Sequence, residues 1–244
     1  MSLLVSDYDS TLYTDERNMK LNVEALRDFI AKGNGFLLAS GRSLASLMDR
    51  VQAYGIPFTY LSCCDGSFLY DKNQRLIRAY PISHDVVPIF SDLEKLGKHK
   101  KIEFSYSDDY ATEYRPHDFI GSVAFTLDIN DEDEEFKSVF GRIKDKHPEY
   151  QYDRYDYKDE VYYLIRPHGV NKAFPVRVLE EDFGFSKYEI YTIGDNTNDK
   201  EMIKEYNGFR IGSHPDVIDV ALREYNAVHE LIDDINKRRV LSRW

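Results

Sequence analysis

Short apolar runs that each break off at a polar cluster, separated by segments of helical period, constrain this chain more than any other feature. Residues 3–6 are apolar or small and stop at Asp7, residues 36–39 stop at Ser40-Gly41-Arg42, and residues 58–62 form a third run. A run of that length bounded by turn residues reads as a strand buried on both faces. Between them, residues 21–31 carry apolar side chains at helical spacing and end at Gly33-Asn34-Gly35. Ser43 stands where it caps a second helix, whose Leu44, Leu47, Met48 and Val51 share one face before Gly55 and Pro57 close it. Strand and helix alternating in this way predict a parallel sheet covered on both sides.

After Asp65-Gly66 the pattern changes. Residues 67–70 and 76–80 flank a polar turn and predict a hairpin. From 83 to 167 the expected order is helix, three strands (102–107, 111–115, 123–129), helix, two strands (150–156, 161–166), with turns too short for parallel crossovers. Alternation then returns: a helix over 171–182 with Pro175 tolerable near its first turn, and a buried strand over 189–193 ending in Gly194-Asp195. A helix from Asp199, a short strand over 209–211 and further helical segments follow. The fold class expected is α/β: a Rossmann-like parallel-sheet core from residues 1–82 and 168–244, interrupted by a smaller α+β domain at 83–167.

The 244 residues, 42% hydrophobic and 31% charged, suit a soluble globular protein. No apolar run approaches the roughly 18–20 residues that span a bilayer. Asp7 and Asp9 interrupt the only apolar stretch near the N-terminus, so no signal peptide is read there and a cytoplasmic location is expected. A formal net charge of -11 argues against a nucleic-acid backbone as partner. Cys63 and Cys64 are adjacent, without metal-site spacing, and read as reduced and buried. Dinucleotide, Walker, nucleophile-elbow and zinc-protease signatures are absent.

Four polar clusters remain, each at an expected strand end or helix start, the edge where ligands bind in open α/β sheets. Asp7-Tyr8-Asp9-Ser10-Thr11 follows the first strand, and two carboxylates two residues apart can converge on a hard cation, though carboxylates capping a turn would look the same. Gly194-Asp195-Asn196-Thr197-Asn198-Asp199 adds two carboxylates and two amides, or else a loop with Asn198 as helix cap. Ser40-Gly41-Arg42 offers a hydroxyl and N–H groups to a phosphate oxygen, or simply a capped turn. Lys172 opens a helix, where a cation opposes the macrodipole, so an anionic neighbour is needed to hold it unless it is merely exposed.

Taken together and in this order, the clusters resemble the four motifs of the haloacid dehalogenase superfamily of phosphatases: Asp-x-Asp-x-Thr at 7–11, Ser40-Gly41-Arg42, Lys172, and Gly-Asp-x-x-Asn-Asp at 194–199. An α/β cap inserted between the second and third motifs is similar to the IIB branch with its Cof-type sugar phosphatases and C2B-type caps. The resemblance covers about 160 residues of core. It implies that Asp7 attacks phosphorus while Asp9 serves as general acid and then base. Mg2+ would be held by the Asp7 carboxylate, the Asp9 carbonyl and Asp195, with Asp199 just behind. Ser40, Gly41 and Lys172, with Thr11, Arg42 and Asn198, would contact the phosphoryl group or substrate. As general acid Asp9 needs its proton near neutral pH.

The substrate implied is a small phosphorylated metabolite, a phosphosugar foremost, reached under a closing cap that excludes water. A phosphosugar mutase of the same branch and a silent Mg2+- and phosphate-binding module are the alternatives. Ser10 stands where the family often has Gly, Asp65-Gly66 replaces Asn-Gly, and Ala173 replaces Gly. The insert is rich in tyrosine (Tyr106, Tyr110, Tyr114, Tyr152, Tyr155, Tyr157, Tyr162, Tyr163), which suits ordinary half-buried strand packing as well as sugar stacking. The acidic run at 131–135 reads as a solvated first helical turn. Oligomeric state is not legible.

Overall fold

The computed structural model describes residues 1–106 and 119–244. The expected strand at 111–115, with Tyr110, Tyr114 and Arg115, lies outside the described residues. The chain forms two compact units, one from Met1–Ala79 with Asn171–Trp244 and one from Tyr80–Val170.

The first unit begins β1 (Leu3–Asp7), α1 (Glu16–Ala31), β2 (Gly35–Ala39), α2 (Leu44–Tyr54), β3 (Tyr60–Cys63), β4 (Phe68–Asp71) and β5 (Leu76–Ala79). The second unit contains α3 (Val86–Ile89), α4 (Ser91–Leu96), β6 (His99–Tyr106), β7 (Ile120–Asp128), α5 (Glu134–Lys146), β8 (Tyr150–Tyr157) and β9 (Glu160–Pro167). The chain then completes the first unit with α6 (Phe174–Phe183), β10 (Ile190–Gly194), α7 (Lys200–Glu205), β11 (Asn207–Arg210), α8 (Pro215–Ile218) and α9 (Val228–Asn236).

Seven strands of the first unit form one sheet in the order β11-β10-β1-β2-β3-β4-β5. From β11 to β3 the pairs are parallel, and the β4–β5 hairpin extends the same sheet with antiparallel pairs. β1 is the middle one of the five parallel strands, every residue buried, as its apolar run predicts. On one face Leu3, Val5, Leu37 and Ala39 pack against Val176, Leu179 and Ile203. Truncating one of the leucines here to Ala would cost roughly 2–5 kcal/mol.

Helix ends depart from expectation where capping outruns the apolar pattern. α1 starts five residues before the expected position 21, because Asp15 caps it by accepting the Asn18 N–H at 2.8 Å. Ser43 caps α2 as expected, and Gly55 ends it at φ 60°. α6 begins three residues later than expected, with Pro175 in its first turn, so Lys172 precedes the helix rather than lying in it. Asn22, fully buried, ties α1 to α9 by donating to the Leu12 carbonyl and accepting the His229 N–H, both at 2.8 Å.

The second unit is a four-stranded antiparallel sheet in the order β6-β7-β9-β8. Val123, Phe125, Tyr163 and Ile165 pack with Phe90, between α3 and α4, and with Phe136 and Phe140 of α5. Tyr163 lies among these rings, 5.1 Å from Phe125 and 4.8 Å from Phe140. The acidic run is more than a solvated face: Asp133 caps α5 by accepting the Phe136 N–H at 3.0 Å, and Glu132 takes two bonds from Arg154 at 2.9 and 2.8 Å. Cys63 and Cys64 are both buried and are not joined in a disulfide. Among the described residues no helix is long and apolar enough to cross a membrane.

Candidate active site

Three strand ends of the first unit carry the expected clusters. Asp7 closes β1 and is nearly buried, and the loop after it is tied down by Leu12 N–H to Asp7 O and Tyr13 N–H to Tyr8 O at 3.2 and 2.9 Å. Within that loop Ser10 takes φ 59°, a conformation that glycine adopts at no steric cost. Thr11 is fully buried and gives its hydroxyl to Asp195 Oδ1 at 2.5 Å. It was expected to meet the phosphate; here it fixes an acid instead.

At the end of β10, Gly194 admits no side chain, since a Cβ there would fall 2.4 Å from the side chain of Asp199. Asp199 is completely buried, and its Oδ2 accepts the N–H groups of Asp195 and Asn196 at 3.0 and 3.1 Å. The turn at 197–199 is capped by Asn196, not Asn198, in a reciprocal arrangement with Asp199. Asn198 is thereby free to donate its amide to Asp65 Oδ1 at 3.1 Å.

Lys172 joins the two clusters. It is 2% exposed, and its Nζ donates to Asp7 Oδ1 at 2.7 Å and Asp199 Oδ1 at 2.8 Å. That double ion pair is what holds a cation ahead of a helix start, against the dipole. Burial presses the lysine pKa down, but the charges of Asp199, Asp7 and Asp65 outweigh it and the net shift is upward. Asp7 moves up as well: burial is the largest cause, with Asp199 and Asp195 adding, and Lys172 opposes without prevailing. Asp195 is raised by burial and by Asp199, partly offset by Thr11 and Lys172.

Ligand oxygens of Asp7, Asp195 and Asp199 lie within 4.8 Å of one another. Three carboxylates against one ammonium leave an excess of negative charge, and every donor is a hard oxygen. A magnesium ion fits that donor set.

Asp9 does not join it through its side chain. Its half-exposed carboxylate receives a bidentate pair from Arg42, Nε to Oδ2 at 2.8 Å and Nη2 to Oδ1 at 2.7 Å. The two carboxylates of the Asp-x-Asp pair therefore diverge, one to Lys172 and the other to Arg42. Arg42 also donates to Ser46 Oγ at 2.9 Å and lies over the Tyr8 ring at 5.6 Å. Ser40 is buried, its Oγ accepting the Arg42 N–H at 3.2 Å.

Sequence reasoning missed Asp65. Its carboxylate is 4% exposed and lies against Gly41, where a Cβ would stand 3.0 Å from Oδ2. The only signal was an Asp-Gly pair at the end of a strand.

A family model described as haloacid dehalogenase-like hydrolase matches residues 4–117 and 89–213. The chain is 25% identical over 226 residues to the 5-amino-6-(5-phospho-D-ribitylamino)uracil phosphatase of Bacillus subtilis (strain 168), covering 89% of this chain and 86% of that one. In fold it is similar to a haloacid dehalogenase-like hydrolase from Bacteroides thetaiotaomicron, with TM-score 0.76, 18% identity, and 96% and 99% of the two chains covered. It is similar too to a subclass IIB sugar phosphatase of the same superfamily, with TM-score 0.71, 15% identity, and 99% and 100% covered.

Proposed function

Since the chain belongs to the haloacid dehalogenase-like hydrolases, we propose that it is a Mg2+-dependent phosphatase of small phosphate monoesters, phosphosugars foremost, working through an aspartyl-phosphate on Asp7. The observation that carries this reading is the buried Lys172 held between Asp7 and Asp199. It takes up Oδ1 of Asp7 and leaves Oδ2 for attack.

Asp7 Oδ2 forms a bond to phosphorus as the ester P–O bond breaks, and Asp9 protonates the departing alkoxide. Asp9 then removes a proton from water, whose oxygen attacks phosphorus and frees Asp7 and inorganic phosphate. For both steps Asp9 must leave Arg42, an exchange made affordable by the half-exposed position of the pair. Ser40, the Gly41 N–H and Lys172 would receive phosphoryl oxygens, where fixed donors and positive charge stabilise the transition state. Asp7, Asp195 and the Asp9 carbonyl would hold Mg2+, with Asp199 orienting Asp195 and Lys172. The ion would offset the repulsion between a carboxylate nucleophile and a phosphate dianion. The preference for phosphosugars is supported by the Bacillus subtilis relative, whose named substrate carries a phosphorylated ribityl chain.

The test is phosphate release from hexose phosphates, pentose phosphates, nucleotides, flavin mononucleotide and the relative's substrate, with Mg2+ present. Turnover of at least one, abolished by EDTA and by Asp7→Asn, is expected. Undiminished activity in either case would overturn the mechanism.

A further inference from the structure

The turn after β3 places three consecutive residues in the left-handed region, Cys64 at φ 51°, Asp65 at φ 52° and Gly66 at φ 101°. For Cys and Asp this conformation is strained and persists only where the surroundings impose it. Here they do: Cys64 N–H donates to the Arg42 carbonyl at 2.9 Å and Asp65 N–H to the Ser40 carbonyl at 3.1 Å. A Cβ on Gly66 would sit 2.2 Å from the Asn171 carbonyl, so only glycine lets the turn press this closely.

The strained turn delivers one side chain. The Asp65 carboxylate is buried, accepts from Asn198 and lies over Gly41, with Oδ2 and Oδ1 at 3.0 and 3.2 Å from a Cβ position there. Lys172 donates to Asp7 and Asp199, so Asp65 acts on it through space. A fixed negative charge next to the donors assigned to a phosphoryl dianion does nothing for its capture.

We propose that Asp65 limits phosphate retention: its charge, held over Gly41 and beside Asn198, raises the energy of inorganic phosphate lodged at Ser40-Gly41 and hastens its departure. This rests on the phosphatase reading above and adds a residue that reading does not use. Product release often limits well-evolved enzymes, and a like charge a few ångströms away in a partly buried site is worth about tenfold or more in affinity.

Asp65→Asn removes the charge, keeps the shape and leaves a carbonyl oxygen for the Asn198 amide. Titration calorimetry with inorganic phosphate in Mg2+ buffer should show about tenfold tighter binding than wild type, with stronger product inhibition. A gain in affinity cannot arise from a damaged fold. Unchanged or weaker binding in a variant that melts like wild type would overturn the proposal. Asp65→Ser should shift binding the same way, and if neither variant melts cooperatively, Asp65 serves the fold alone and the proposal falls. Wild type that turns over no monoester strikes the phosphatase reading; wild type that is active while Asp65→Asn binds phosphate no tighter strikes this inference alone.

Discussion

Replacing Lys172 by Met removes the positive charge and nearly conserves side-chain volume, so the change in stability reports chiefly on electrostatics. Oxygens of Asp7, Asp195 and Asp199 lie within 4.8 Å of one another, and Lys172 is the cation bonded to two of these acids. Two unit charges at that distance repel by about 3.5 kcal/mol at an effective dielectric constant of about 20. Losing one partner of a buried ion pair costs about 3–5 kcal/mol in other proteins, which agrees. At about 2–4 °C per kcal/mol for a chain of this size, Lys172→Met should melt about 6–20 °C below wild type near neutral pH in EDTA. Excess Mg2+ should then recover more of the melting temperature in the variant than in wild type, because the uncompensated acids bind the cation more tightly. Differential scanning calorimetry of both proteins, with EDTA and with Mg2+, measures each quantity. A variant within about 2 °C of wild type in EDTA would mean that the three acids exert no such field.

Arg42→Ala should leave the melting temperature in scanning calorimetry nearly unchanged, since its half-exposed pair with Asp9 is worth about 0.2–1 kcal/mol; a loss above about 2 kcal/mol would refute this. Gly194→Ala forces a Cβ to within 2.4 Å of the Asp199 side chain, and chemical denaturation should show a loss of about 3 kcal/mol or more. In the second unit the Glu132 carboxyl is held below its ordinary 4.5 by hydrogen bonding from Arg154, against burial, with Tyr163 assisting. A lowered folded pKa means stabilisation that is complete above the ordinary value and is lost as pH falls through the folded one. Glu132→Gln should therefore melt below wild type at neutral pH, with the gap closing as pH drops below about 4; a gap constant with pH would refute this.

The buried strands were legible because an apolar run leaves little choice of environment, and the ends of β1, β2 and β10 fall where the first polar cluster interrupts each run. Lys172 was legible as a misfit, a cation on the wrong end of a helix. What stayed hidden depends on pairings that spacing does not encode. Arg42 reaches Asp9 across 33 residues, and Thr11 reaches Asp195 across 184. Asp65 owes its place to a left-handed turn that propensity disfavours in two of its three residues. The start of α1 was misjudged because Asp15 caps a first turn whose exposed residues carry no apolar period.

β1 stands between β2 and β10, one neighbour some thirty residues further along the chain and the other nearly two hundred. During synthesis this fully buried strand therefore waits with one edge bare until residues 190–194 have been made. Partners so remote in sequence slow folding and leave the nascent chain exposed to misassociation. The same wiring keeps Asp7 apart from Lys172, Asp195 and Asp199 until those later segments have been made, so a product truncated before residue 172 would display a hydrophobic seam and no assembled charge cluster.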